Sequence, residues 1–135
     1  MTVPSSARAY READILAATP GRLVVITYDG LLASLMRARS GIVARSLDIT
    51  LPSLDRARAF VGELLATLDH GRGGELAGNL SSIYVFVLAE LQTMARTRDV
   101  KRLELLIELV RELRDAFATI ADNVVKEPPQ RSAVA

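Results

Sequence analysis

Side chains that could carry acid–base or metal chemistry are few in this sequence, and they are scattered. His70 is the only histidine, and it lies in a glycine-rich segment where a solvated loop residue is expected. A di-iron site in a helical bundle needs Glu-x-x-His pairs on two helices, and no such pair occurs. The carboxylates stand alone rather than as an acid and base pair: Asp14, Asp29, Asp55, Glu63 and Glu90. The pattern predicts a protein that is not an enzyme and needs no cofactor or metal.

The glycines and arginines do not form a recognition motif for phosphate or nucleic acid. Gly71, Gly73 and Gly74 lack the Gly-Lys-Ser/Thr ending of a phosphate-binding loop. Seventeen basic and sixteen acidic residues leave a net charge of +1, and the arginines of the second half are interleaved with acids. The chain has no cysteine, no apolar run that reaches the ~18 residues of a membrane span, and no signal-peptide pattern at its start. We expect a cytoplasmic protein with neither a nucleic-acid nor a membrane partner.

Helices must position whatever site the chain has. Half of its 135 residues are hydrophobic but only 4% are aromatic, which suits one helical domain with an aliphatic core. Thr19 is a suitable cap and Pro20 a suitable first residue for a helix that runs to about Ala44. Tyr28 falls on the buried face of that helix by its spacing, so its hydroxyl needs a partner.

Three further helices follow from turn signals and apolar periodicity. A loop at residues 47–50 and the Leu51-Pro52-Ser53 start signal predict a second helix to about Asp69. The glycines of residues 70–74 should break the chain before a third helix, at about 75–96. A fourth helix is predicted from about Asp99 to Asn123. Short connections between long helices predict an all-α, antiparallel up-down four-helix bundle over residues 19–125, with a mobile N-terminal arm over 1–18 and a disordered tail over 126–135.

The last two predicted helices carry more apolar surface than a bundle core needs. In the fourth helix, one stripe within an arc of about 100° would satisfy the core: Leu103, Leu106, Val110, Leu113, Phe117 and Ile120. Leu105, Leu109 and Ala116 widen that stripe on one flank. The third helix is apolar around its whole circumference over residues 83–89. The surplus indicates either broad core faces packed under loops, or a surface covered by the N-terminal arm, a second copy or a client helix.

Three segments of the chain resemble the flagellin-export chaperone family. Thr-Pro-Gly-x-Leu at residues 19–23 stands ahead of Tyr28-Asp29-Gly30, residues 73–84 resemble the family's Gly-Gly-Glu, Asn-Leu and Leu-Tyr run, and residues 109–117 resemble its last long helix with a Leu-Arg-Asp motif. Together they cover about residues 10 to 120 in the family's order. The chain departs from the family where Phe86 replaces a usual tyrosine and Phe117 a usual tryptophan, and in an apolar loop after the first helix.

The resemblance implies a cytosolic chaperone for type III flagellar export, which binds the C-terminal polymerisation segment of flagellin and prevents premature polymerisation. It implies that the client lies on the later helices, and the apolar pattern there predicts these contacts: Tyr84, Phe86, Val87, Leu91, Leu105, Leu109 and Ala116. Tyr10 and Ile15 are the lid residues that the resemblance implies. Components of the flagellar export gate are a further class of partner, and we expect a monomer or weak homodimer. The alternative is a structural bundle that self-associates through the same surface.

Overall fold

Four helices joined by short connections make up the computed structural model, which describes residues 19–126. They are α1 (Pro20–Val43), α2 (Leu47–Thr67), α3 (His70–Thr97) and α4 (Val100–Lys126). α1 packs against α2 and α4, α2 also packs against α3, and α3 and α4 approach each other least closely of these neighbours. The prediction of an all-α four-helix bundle is confirmed. The arm with Tyr10 and Ile15 lies outside the described residues, as does the tail after Lys126.

Both ends of α1 are closed by local hydrogen bonds. The Thr19 hydroxyl accepts from the Arg22 amide at 3.2 Å, and Pro20 occupies the first turn, as predicted. At the other end Arg45 adopts a left-handed conformation with φ 55°, which brings the Ser46 amide to the Gly41 carbonyl at 2.9 Å. A helix end closed in this way usually has glycine at the left-handed position. Arg45 therefore carries some backbone strain there.

The predicted start of the second helix was wrong by four residues. α2 begins at Leu47, so residues 47–50 are its first turn rather than a loop, and Pro52 lies inside the helix. A proline at this position lacks the amide that would bond to the Asp48 carbonyl. Asp48 and Pro52 are both exposed, so we infer that water replaces this single missing bond. Proline therefore marks a helix interior here, although the same residue type marks a helix start in α1.

The glycine-rich segment interrupts α3 at one residue instead of forming a loop. A helical turn begins at His70, where the Asp69 carboxylate accepts from the Arg72 amide at 3.1 Å. Gly74 then takes φ 52° and ψ −125°, values that only glycine adopts readily, and the helix continues regularly to Thr97. The predicted break is thus present at Gly74, but the residues before it are helical.

Asp99 starts α4, as predicted, by accepting hydrogen bonds from two backbone amides. Its carboxylate oxygen lies 3.1 Å from the Lys101 nitrogen and 3.2 Å from the Arg102 nitrogen. The helix continues to Lys126, three residues beyond the predicted end and one residue into the predicted tail.

The core takes one stripe from each helix and is aliphatic apart from Tyr28 and Tyr84. The largest fully buried side chains are Tyr28, Leu31, Leu35, Leu64, Leu91, Met94, Leu103, Ile107, Val25, Val61, Val87 and Val110. Each contributes roughly 1.5–3 kcal/mol by its burial, which is what holds four short-looped helices together. Ile120, predicted for the core stripe of α4, is instead 57% exposed, while Ile107, which lies outside the predicted stripe, is buried. The buried stripe of α4 is therefore turned toward α1.

Candidate interaction surface between the third and fourth helices

An ion pair fixes how α3 and α4 lie side by side. The Glu90 carboxylate accepts two hydrogen bonds from the Arg102 guanidinium, at 2.6 Å from Nε and 2.8 Å from a terminal nitrogen. This two-point geometry is the strongest form that such a pair takes. The same hydrogen bonds raise the pKa of Arg102 above its ordinary value. Glu90 is the only charged residue between Glu75 and Arg96, and it spends that charge on the neighbouring helix.

The register set by this pair brings apolar side chains of both helices to one surface. Phe86 lies one turn before Glu90 on α3. Leu105 and Leu109 lie about one and two turns beyond Arg102 on α4, which runs in the opposite direction. Phe86 is 52% exposed, Leu105 is 67% exposed, and Leu109 is half-buried against the core. We call this group, with Ala116 further along α4, the α3–α4 surface.

The exposed side chains of α4 continue along the same flank. Ala116 is exposed three turns beyond Leu105, and Ile120 follows one turn later. On α3, exposed Leu76 lies toward the level of these residues in the antiparallel register. The apolar strip therefore follows α4 for about four turns, which is long enough for a helical segment of a partner rather than for a single side chain.

Three of the predicted contact residues point into the core instead of outward. Val87 and Leu91 are buried, as is Tyr84, whose hydroxyl lies 2.5 Å from the Tyr28 hydroxyl. Residues 83–89 of α3 are apolar on every side, so the helical wheel could not separate the core face from the outer face there. Tyr84, Val87 and Leu91 are thus predicted client contacts that are buried in this structure, while the exposed members of the predicted set are Phe86, Leu105 and Ala116. None of these observations tests client contact directly, which stays a prediction.

The tyrosine pair belongs to an aromatic cluster with Phe117. The Tyr28 and Phe117 rings are stacked, with centroids 5.5 Å apart and an angle of 27° between the planes. Burial raises the pKa of Tyr84, and burial together with the hydrogen bond to Tyr84 raises that of Tyr28. Both hydroxyls are therefore neutral across the physiological range. The prediction that Tyr28 is buried and needs a hydroxyl partner is confirmed, and the partner is Tyr84.

A small apolar cavity opens beside this cluster. It has a volume of about 190 Å³ and lies at the end of the bundle where α2 passes into α3. Its lining residues are Val24, Thr67, Leu68, Asp69, Gly73, Leu76, Ala77, Leu80, Tyr84 and Phe117. The cavity gives buried Tyr84 a boundary with accessible space, so a large apolar side chain from a partner could approach the ring there.

The chemistry of this region is that of non-covalent binding. Within residues 19–126 no group of His, Asp and Glu side chains could hold a metal ion. Every buried side-chain nitrogen or oxygen in that range has a hydrogen-bond partner. His70 is exposed at the start of α3. The α3–α4 surface offers a partner apolar area beside the Glu90–Arg102 ion pair.

Comparison with known proteins supplies the context for this surface. The family model described as Flagellar protein FliS matches residues 3–124 of the chain. The chain belongs to the FliS family. The chain is 30% identical to the flagellar secretion chaperone FliSB of Pseudomonas aeruginosa over 110 residues, which are 82% of this chain and 87% of that relative. It is 27% identical to the flagellar secretion chaperone FliS of Salmonella typhimurium over 126 residues, covering 90% and 93% of the two chains.

The family match confirms the resemblance drawn from residues 19–30, 73–84 and 109–117. A third relative, the flagellar secretion chaperone FliS of Campylobacter jejuni, is 26% identical over 115 residues, which cover 85% of this chain and 90% of that protein. These FliS relatives are named as chaperones rather than as enzymes. None of the helices within residues 19–126 combines the length and hydropathy that crossing a membrane requires.

Proposed function

We propose that this FliS-family chain is a cytoplasmic chaperone of flagellar export, which binds the C-terminal polymerisation segment of flagellin and keeps it monomeric before secretion. The observation that carries the proposal is the strip of exposed apolar side chains on α4 and α3, beside the least closely packed helix pair of the bundle. A contiguous apolar strip marks an interaction site more often than single exposed apolar residues do. The names of the relatives support the same reading.

The client would bind as a helix laid along the strip. Its own apolar side chains would cover Phe86, Leu105 and Leu109, and its backbone would satisfy its own hydrogen bonds. At about 25 cal/mol per Å², burial of a few hundred Å² contributes several kcal/mol. Ordering a disordered client costs roughly 2–5 kcal/mol of that interaction energy. The net affinity therefore depends on whether the whole strip is covered.

A lid is the second part of the proposal. Tyr10 and Ile15 of the N-terminal arm would cover apolar surface of the bundle until flagellin displaces them. The arm precedes α1, and Val24 in the first turns of α1 lines the 190 Å³ cavity. Residues just before Thr19 are thus within reach of that opening.

Titration calorimetry with a peptide of about 40 residues from the C-terminus of the same organism's flagellin tests the proposal. We expect saturable binding with a negative heat-capacity change, weakened at least about tenfold by Leu105→Glu or Phe86→Glu because each substitution places a charge in the covered area. Val43→Glu is the matched control, since Val43 is 71% exposed on α1 and does not belong to the α3–α4 surface. Its affinity should equal that of the unaltered protein.

Two results would contradict the proposal. One is the absence of binding at high micromolar concentration while circular dichroism shows a folded bundle. The other is a concentration-dependent dimer in sedimentation that Leu105→Glu dissolves and the flagellin peptide does not. That second result would favour the alternative of a structural bundle that self-associates through the α3–α4 surface.

A further inference from the structure

A second concave surface lies on the opposite side of the bundle, between α1 and α2. Because α1 and α2 are neighbours and α3 and α4 close the other side, this groove faces away from the α3–α4 surface. Its volume is about 810 Å³. The residues that line it are Gly30, Ala33, Ser34, Arg37, Asp48, Ile49, Pro52, Ser53, Arg56 and Phe60. We call it the α1–α2 groove.

Small side chains and the Phe60 ring form the floor of this groove. The Phe60 ring lies over Gly30 so closely that a Cβ atom there would come within 2.5 Å of it. The Ser34 hydroxyl donates to the Gly30 carbonyl at 3.0 Å, and the Ser53 hydroxyl donates to the Ile49 carbonyl at 2.7 Å. Both hydroxyls are thereby turned back onto their own helices. The floor presents an aromatic ring, Ile49 and small side chains.

The two walls of the groove carry opposed arginines that are exposed and available. Arg37 stands on α1 and Arg56 on α2, and neither belongs to an ion pair within residues 19–126. Asp48 also lines the groove, but it lies in the first turn of α2, where the helix N-terminus favours its negative charge. It forms no ion pair with either arginine. The arginines therefore remain free to meet acidic groups of another molecule.

From this arrangement we propose that the α1–α2 groove is a second docking surface, and that its occupant is an acidic amphipathic helix of another protein. A helix fits because the walls are themselves helices and offer no strand edge to an extended peptide. Carboxylates on the partner would pair with Arg37 and Arg56, and an apolar residue between them would rest on Phe60. The lining spans Asp48 to Phe60 on α2, or about 18 Å at 1.5 Å per residue, which corresponds to about three turns of partner helix.

Charge also argues against the chain's own terminal segments as the occupant. Residues 1–18 contain two arginines and two acids, and residues 127–135 contain one of each. Neither segment carries the net negative charge that two unpaired arginines favour. A concave groove likewise does not suit a flat bilayer, which would contact only its rim.

A peptide selection tests the proposal without assuming what the natural partner is. A displayed library of helical peptides of about 16 residues is first depleted on the R37E/R56E double variant and then selected on the unaltered protein. We expect the enriched peptides to carry Asp or Glu on one side of an apolar stripe. Their affinity should fall about tenfold or more for R37E/R56E, and it should fall again as salt rises from about 50 to about 500 mM.

Three variants locate the binding. Ala33→Phe fills the groove without changing charge at an exposed position, and it should abolish the interaction. The control R96E/R111E makes the same change in net charge at two exposed arginines outside the groove lining, and Leu105→Glu alters only the α3–α4 surface; both should bind as the unaltered protein does. An enrichment that fails, peptides without acidic residues, or binding that is lost in Leu105→Glu but kept in Ala33→Phe would each overturn the proposal. None of these outcomes depends on whether flagellin is the client.

Discussion

Removing one hydroxyl from the buried tyrosine pair should cost more stability than removing both. The Tyr28 and Tyr84 hydroxyls lie 2.5 Å apart, and the two side chains are 0% and 3% exposed. Tyr28→Phe leaves the Tyr84 hydroxyl without this partner, and Tyr84→Phe does the same to Tyr28. An unpaired buried hydroxyl lowers the free energy of unfolding by about 1–3 kcal/mol, whereas replacing both partners with groups of the same shape is nearly neutral.

The two single variants should not be equal. Tyr84 borders the 190 Å³ cavity, so after Tyr28→Phe a water molecule can enter and bond to the remaining hydroxyl. Tyr28 is not among the residues that line this cavity, so after Tyr84→Phe its hydroxyl has no such replacement. We expect a cost of about 1 kcal/mol for Tyr28→Phe and about 2–3 kcal/mol for Tyr84→Phe, with at most about 1 kcal/mol for the double variant.

Urea unfolding followed by circular dichroism gives the free energy of unfolding of the unaltered protein, the two single variants and the double variant. Its slope against urea concentration should be the same for all four. The coupling energy from the cycle should be about 2–4 kcal/mol, well above the few tenths that independent sites show. Strictly additive single effects would refute the hydrogen bond as the cause. The pKa values give a second check: both are raised in the folded state, so above pH of about 10 the unfolded chain loses protons that the folded chain keeps. Stability should therefore fall as pH rises through that range.

Three further predictions follow from the described contacts and from the proposed lid. Gly74→Ala should lower the free energy of unfolding by about 1–3 kcal/mol, because φ is 52° there. Gly78→Ala should raise it by up to about 1 kcal/mol, because Gly78 is helical and has open space around it. Equal effects of the two substitutions in urea unfolding would contradict the kink at Gly74. Glu90→Gln should cost about 1–2 kcal/mol through the lost charge-assisted bonds to Arg102, and a stability equal to that of the unaltered protein at low salt would show that the pair is not formed. Deletion of residues 1–17 should increase the fluorescence of a dye that binds apolar surface, and unchanged fluorescence would contradict the lid.

Local signals in the sequence were sufficient for most helix ends, because caps act within a few residues. Thr19 with Pro20 and Asp99 each satisfy amides of the turn that follows them, and the structure has both caps. The exception is the start of α2, where proline was interpreted as a first-turn residue. A missing backbone hydrogen bond costs little when the carbonyl left without a donor is exposed to water. Pro52 could therefore occupy the helix interior.

The arrangement between helices could not be read from periodicity. A helical wheel assigns residues to a face only when polar residues mark the other faces, and the segment around Tyr84 and Val87 has none. The Glu90–Arg102 pair would have resolved the ambiguity, because it fixes which side of α3 meets α4. The available signal was that Glu90 is the only charged residue between Glu75 and Arg96, and its partner Arg102 lies just beyond the next loop.

The position of that pair bears on why the chain keeps exposed apolar residues at all. A carboxylate beside the core is costly unless it is paired. The Glu90 carboxylate is paired with Arg102 and so holds α4 against α3. The neighbouring positions Phe86 and Leu105 remain mostly uncovered, so their burial adds little to the folded bundle. Lysine at either position should accordingly leave the free energy of unfolding within about 0.5 kcal/mol of its original value. A surface that folding does not need, and that water disfavours, is best explained by a partner that covers it.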